Sequence, residues 1–530
     1  MVIELLFLAL YCVCEGTDCP EVTKECFDPD SQSQGSSSTT LEDIEGRISR
    51  LERRLRAVEQ PVWQIRGKPG DWEICAEGPC RCRPETKSLS CWRLGLADVP
   101  PSQLVPEDIV KLDLGSNQLS ALHRDSFLDL TQLNYLDLSD NFLEHLPLSL
   151  FFSLRGVTHM RLSSNLLREL HRNQLLRMRR LSVLDISGNR LRTLPEGLFA
   201  SNDALVLLDL TGNHISSLPP NIFQGLNNLE ELLIAKNHLQ SLPVGVFRDL
   251  LSLGHLRMDE NRLKDLPVGV FGNLIELREL NLRDNRITEI QEGSLASLGR
   301  LNTLELSNNF VERIHPRAFA GLESLKELQL GQNRINTLPQ DLFLSVPALE
   351  RLILYANSLE TLGEHDFKGL ARLTSLFLHG NRLRILHPGL LKEIPKLHKL
   401  QLEANYLTYL PAHILDATPS IQQIRLARNP WHCDCGSAYL AMWLRKRYAD
   451  YVAAAGNRLS GVDSSNFWEF GAGAVCRGPG DLGGKLMVQL TFHELCEGQW
   501  ASMKGLVPRL PVDVIATSAS PATDNFTQSL

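Results

Sequence analysis

Long apolar runs are scarce in this chain. Val2 to Cys14 is the one candidate, broken only by Glu4, and it is too short to span a bilayer; no other stretch approaches about 18 apolar residues. The C-terminus lacks the hydrophobic tail that a lipid-anchor signal requires. An excess of positive charge is missing too. The 54 Lys and Arg are outnumbered by 62 Asp and Glu, a net charge of −8, which argues against a nucleic-acid binder with a concentrated basic face. Catalytic signatures are absent: there is no His-Glu-x-x-His, no Gly-x-Ser-x-Gly and no Cys-x-x-Cys. The run from Gly478 to Leu486 has Pro479 where a phosphate loop needs glycine, and Leu486 where a hydroxyl would hold the metal, so it reads as a turn. Neither an enzyme nor a cofactor or metal site is expected. Asn525-Phe526-Thr527 is the single glycosylation sequon, and it lies near the C-terminus. Cysteine is missing from the whole stretch between Cys91 and Cys433.

That stretch is filled instead by a repeat. Asn117 is followed at unbroken 24-residue intervals by Asn141, Asn165, Asn189 and so on to Asn429, which makes fourteen units without an insertion. Each Asn closes a phrase such as Leu133-x-x-Leu136-x-Leu138-x-x-Asn141. The alternation in x-Leu-x-Leu-x sends leucines one way and the x residues the other, as in a short strand. Apolar residues recur two and five positions after the Asn, and a phenylalanine column stands ten after it: Phe127, Phe151, Phe199, Phe223, Phe247, Phe271, Phe319, Phe343 and Phe367. Leu175, Leu295, Leu391 and Leu415 take its place elsewhere. A fixed period of this length signals a solenoid, whose units stand only by stacking. An Asn side chain both donates and accepts, so it can bridge backbone groups of its own turn and the neighbouring unit; these Asn are structural rather than ligand contacts. Strands stack more closely than the phenylalanine-bearing segments, so the stack curves with the strands inside.

These residues resemble the leucine-rich repeat family, specifically its 24-residue extracellular type. The fold class implied is α/β: a right-handed solenoid, a curved horseshoe with parallel strands on its concave face, here with disulfide caps and an N-terminal coiled-coil helix. Cys75-x4-Cys80-x-Cys82-x8-Cys91, just before the first repeat, resembles the family's N-terminal cysteine cap. The resemblance implies pairing Cys75–Cys82 and Cys80–Cys91. Asn429-Pro430-Trp431-His432-Cys433-Asp434-Cys435, with Cys476 and Cys496, is similar to the C-terminal cap and implies Cys433–Cys476 and Cys435–Cys496. Trp443 and Leu444 are expected against the last repeat. Four such cysteines also suit zinc by ligand type, but the cap context favours bridges.

The organisation read from the sequence is therefore a signal peptide at 1–16, a flexible cysteine-containing linker at 17–40 and a coiled coil at 41–60. An N-terminal cap at 70–108 follows, then repeats at 109–429, a C-terminal cap at 430–497 and a disordered tail at 498–530. The protein is expected to be secreted and extracellular, without a membrane anchor. Leu41, Ile44, Ile48, Leu51, Leu55 and Val58 form a heptad seam, with Thr39 and Glu42 as a capping box and Pro61 as the stop. Across parallel helices Arg47 meets Glu52 and Arg54 meets Glu59. Cys19 and Cys26 lie upstream without a cap partner and are candidates for interchain bridges of a parallel homo-oligomer; the alternative is one helix folded back, with Cys19 bonded to Cys26.

The positions six, four and two before each Asn face the open side of the strands. Early repeats place acids there (Asp113, Asp137, Asp185, Asp209, interrupted by Arg161), expected to serve solvation and steering. Repeats eleven and twelve instead bring Arg351, Ile353, Tyr355, Phe377 and His379 onto one face, the composition of a binding hot spot. A second candidate, for a heparin-like polyanion, is the group Arg161, Arg168, Arg172, Arg177, Arg179 and Arg180. The expected function is capture of a protein ligand or an extracellular-matrix component through the concave face. Proteins with both caps, such as Slit-like guidance proteins, the acid-labile subunit, chondroadherin and Toll-type ectodomains, share this pattern. The alternatives are humoral innate-immune recognition and a non-catalytic subunit of a secreted enzyme complex.

Overall fold

A computed structural model describes residues 70–455 and 473–496. The expected signal, linker and heptads, together with Cys19, Cys26, Asn525 and the tail, lie outside the described residues. Within them, each repeat gives one three-residue strand, from Lys111–Asp113 to Gln423–Arg425, and each strand pairs in parallel with the next. The register advances by one 24-residue period per strand, as in Leu352 opposite Leu376. This keeps every leucine on the buried side, because a slip of one residue would turn the whole set outward.

The ladder Asn side chains are all buried, and their bonds follow one pattern, with Asn213 and Asn381 lacking the bond to the carbonyl two residues back. Asn261 Nδ2 donates to Met258 O at 3.1 Å, to Asp259 O at 3.3 Å and to Ile234 O of the preceding coil at 2.9 Å. Its Oδ1 accepts from the Leu239 N–H at 3.0 Å. One side chain thus satisfies carbonyls in two coils and an amide that no strand reaches. Immediately before each Asn the backbone is left-handed, at φ between 51° and 69°, in all fourteen coils. Only Gly188, Gly212 and Gly380 are glycines there; the other coils hold residues such as Lys236 and Ala356 in that region.

The phenylalanines stack as parallel rings in the core, their centroids 6.1 Å apart from Phe223 to Phe247 and 6.5 Å apart from Phe199 to Phe223. Strand neighbours sit only about 4.8 Å apart. The larger spacing on the phenylalanine side bends the stack, with the strands on its inner, concave face.

Both ends are closed. The hairpin of strands Arg81–Arg83 and Ser88–Ser90 adds two strands to the sheet ahead of the first repeat, and Cys75 is bonded to Cys82 and Cys80 to Cys91. At the far end Cys433 is bonded to Cys476 and Cys435 to Cys496. The helix Ala438–Ala455 buries Leu444 in the core and packs Trp443 against it, while the fully buried Trp431 donates from Nε1 to Leu426 O at 2.9 Å. No helix among the described residues is long and apolar enough to cross a membrane.

Candidate concave binding site

The concave face is built from the residues that flank the buried leucine of each strand. In the early coils its acids have a task in the fold. Asp137 Oδ1 accepts the Ser139 N–H at 2.9 Å, Asp185 Oδ1 the Ser187 N–H at 3.0 Å and Asp209 Oδ1 the Thr211 N–H at 2.8 Å. Glu305 does the same for Ser307 at 2.8 Å. Each carboxylate caps an amide two residues on, where the strand has ended. The sequence signal was present as an acid two residues before Ser or Thr. Burial, with Asp185 nearby, raises Asp209 above the usual carboxylate range, although its bonds to Thr211 pull it down. Tyr135 donates to Asp137 Oδ2 at 2.9 Å, and burial together with that bond pushes its phenol up to about 12.

The position is not acidic in every coil, since Arg161, Leu233, Arg257, Asn281 and Gln329 also stand there, but Ile353 and Phe377 make it apolar in two successive coils, and aromatic rings gather beside them. The Tyr355 and His379 rings lie parallel, with centroids 4.9 Å apart and planes within 1°. The other face of Tyr355 lies over Gly331, where a Cβ would stand 2.4 Å from Tyr355 Cε1; glycine is what lets the ring lie flat. Tyr355 Oη donates to Gln332 Oε1 at 3.1 Å. Phe377 meets His379 edge-on at 6.5 Å. Two cations reach its ring from the strands on either side: Arg351 Cζ is 5.1 Å and Lys399 Nζ 5.4 Å from the centroid. Arg351 Nε also lies 3.5 Å from Glu327 Oε1.

Tyr355, Phe377 and His379 are half-buried and Arg351 is exposed. Ile353 corrects the sequence expectation. It is only 6% exposed, flanked in register by Gln329 and Phe377, and forms the floor of the patch rather than part of its open surface. His379 Nδ1 is buried without a hydrogen-bond partner among the described residues. Burial lowers the pKa of its imidazole, with Glu403 opposing and Arg425 adding to the shift.

The arginines of the third and fourth repeats do not form one patch. Arg161 stands on a concave strand 3.7 Å from Asp137, and Arg168 lies on the segment after Asn165, 3.7 Å from Glu144. Arg172, Arg177, Arg179 and Arg180 sit in the turns on the return side of the coil. Among the described residues no group of three His, Cys, Asp or Glu could hold a metal ion.

Comparison with known proteins fits this geometry. The pattern described as leucine rich repeat matches residues 107–167, 179–239, 227–287, 275–335 and 323–383. Compared with curated proteins, the sequence finds no match. Among solved structures it is similar to Toll in the Toll–Spatzle complex of Drosophila, at 27% identity and a TM-score of 0.61, covering 73% of this chain. The match spans 51% of that partner's chain, about half its length. A leucine-rich repeat protein of Leptospira interrogans is 26% identical, covered over 98% of its length and 73% of this chain, with a TM-score of 0.57. The LRIM1/APL1C complex shares the fold alone, at 21% identity and a TM-score of 0.51 over 69% of this chain and 60% of that one.

Proposed function

The chain belongs to the leucine-rich repeat family, and from that premise we propose that it is a secreted binding protein that captures a protein ligand through its concave face at repeats eleven and twelve. The observation that carries the reading is the preassembled cluster of Tyr355, Phe377 and His379 between Arg351 and Lys399. A solvated strand face has no need of stacked aromatics. Rings held in place before contact lose little freedom on binding, and Tyr, Trp and Arg dominate measured hot spots. Beside the rings, the Tyr355 and His379 amides carry no acidic cap and meet no acceptor among the described residues, which leaves them to acceptors on a partner.

The likeness to Toll, which is seen in complex with Spatzle, supports a protein ligand over a small molecule. That complex is described as a hub in development and innate immunity, which favours an immune or developmental recognition role over a subunit of an enzyme complex. The heptads at 41–60, with Cys19 and Cys26, support presentation of two or three solenoids together, which raises avidity without new contacts. The fold serves as an interaction scaffold, and no catalytic role is assigned.

The test is a cross-linking pull-down from extracellular fluid with wild type and Tyr355→Ala/Phe377→Ala. Loss of two hot-spot rings, at about 2 kcal/mol or more together, is expected to weaken capture by at least roughly tenfold. Equal capture by the double variant removes the site. Gels run with and without reductant read the oligomer separately: a single monomer band under both conditions removes the covalent link.

A further inference from the structure

The segment just after each Asn carries a second surface that the concave reading does not use. It is extended, so residues one and three after the Asn share an outward face while residue two is buried. Arg190 and Arg192 are exposed around buried Leu191, and Arg262 and Lys264 around buried Leu263. The coils are tied here in register: the Arg190, His214, His238, Arg262 and Arg286 N–H groups each donate to the segment of the coil before, at 2.9 Å. These five side chains therefore form one column across repeats four to eight, with Arg192 and Lys264 in a second column beside it. His214 and His238 stack at 5.4 Å, which gives the spacing from coil to coil.

Neither column contains a carboxylate in these five repeats. Arg190, Arg192, Arg262, Lys264 and Arg286 have no ion pair among the described residues, where pairs across coils are common. On the adjoining columns Glu260 is held by Lys236 at 3.4 Å and Asp284 by Arg283 at 3.0 Å, which leaves Asp265 as the nearby acid without a pair. The strip is bounded by pairs on both sides, Arg168 with Glu144 and Arg334 with Glu312. Like charges aligned without partners repel one another, and here they do so on a chain with a net charge of −8. The repeats contain no glycosylation sequon, so no N-glycan covers the strip.

We propose that this flank binds a linear sulfated polysaccharide running across repeats four to eight. Four coil steps separate Arg190 from Arg286, on the order of 20 Å at strand spacing. Arg190 and Arg192 stand at one end of this strip and Arg262, Lys264 and Arg286 at the other, with His214 and His238 between them, an arrangement suited to a polymer with regularly spaced anions. A folded protein partner would need apolar anchors, and a single-stranded nucleic acid would need aromatic platforms for its bases; neither occurs in these columns.

The experiment is heparin-affinity chromatography of the full chain at about 0.15 M ionic strength. Wild type is expected to be retained and to elute as salt rises, and not to bind chemically desulfated heparin. Arg190→Ala/Arg192→Ala/Arg262→Ala/Lys264→Ala is expected to bind on the order of 10- to 100-fold more weakly, four exposed pairs each contributing a little. Its thermal unfolding should match wild type, since all four side chains point into solvent. Arg172→Ala/Arg177→Ala/Arg179→Ala/Arg180→Ala should be retained like wild type, as should Tyr355→Ala/Phe377→Ala, which separates this site from the concave one. Failure of wild type to be retained overturns the proposal. So does unchanged retention of the first variant, or equally strong competition by DNA of matched charge.

Discussion

At the scale of single residues, the coil depends on two adjacent positions with opposite demands. The ladder Asn needs its amide, whereas the residue before it needs only a left-handed backbone. Non-glycine residues adopt that region at a cost of about 1 kcal/mol. Ala356 sits there at φ 51°, with a side chain that contributes little. Ala356→Gly is therefore expected to stabilise the protein by about 0.5–1 kcal/mol, although glycine also gains freedom in the unfolded chain. Asn261→Ala removes partners from a buried amide and three carbonyls, and is expected to cost about 2–5 kcal/mol. Thermal melts of the two variants should move in opposite directions; a shift the same way contradicts this division of labour. The Asn was legible in the sequence because its chemistry cannot be replaced. The backbone demand one residue earlier was not, since Lys236, Glu260, Gln332 and Ala356 share no side-chain property that would announce it.

At the scale of elements, a repeat is only as secure as its neighbours, so the ends decide how the array frays. Gln103 holds the first end together. It is fully buried, its Oε1 accepts the Cys80 N–H at 3.0 Å, and its Nε2 donates to Cys75 O at 2.7 Å and Leu104 O at 3.1 Å. Gly78 leaves the space, because a Cβ there would stand 2.1 Å from that oxygen. Gln103→Leu strands those backbone groups, at about 1–3 kcal/mol for each one left buried and unpaired. Hydrogen exchange is the discriminating measurement: amides of 81–113 should exchange faster while those near 400 stay protected. A uniform change along the array would mean that the cap is not a local unit. Nothing in the sequence marked this glutamine, which stands alone in a loop outside the period. The strand faces were legible because alternation alone sorts them. Yet Ile353 read as open, because its burial depends on the side chains of neighbouring coils, which a single-strand pattern does not contain.

At the scale of the whole array, every coil repeats the same contacts with the coil before it, so stability is close to a sum of unit and interface terms. The period, rather than any one sequence, should then be what the fold requires. Deleting residues 214–237 removes one full period and joins Asn213 to His238, just as Asn237 meets it now. Phe199 would then stack on Phe247 in place of Phe223, the strand Leu207–Asp209 would pair with His255–Arg257, and the Leu191 N–H would still find Asn213. Such a variant should be produced in soluble form and melt in one cooperative transition, only a few degrees below wild type. Deleting 214–225, half a period, brings a polar turn where the next coil needs its leucines. That variant should lose the transition or fail to accumulate. Both deletions lie outside the aromatic patch, so the full-period variant should still lose ligand capture on Tyr355→Ala/Phe377→Ala, and it should keep its heparin retention, because Arg190, Arg192, Arg262, Lys264 and Arg286 all remain. If the half-period deletion melts like the full-period one, the stack is held by something other than its 24-residue register.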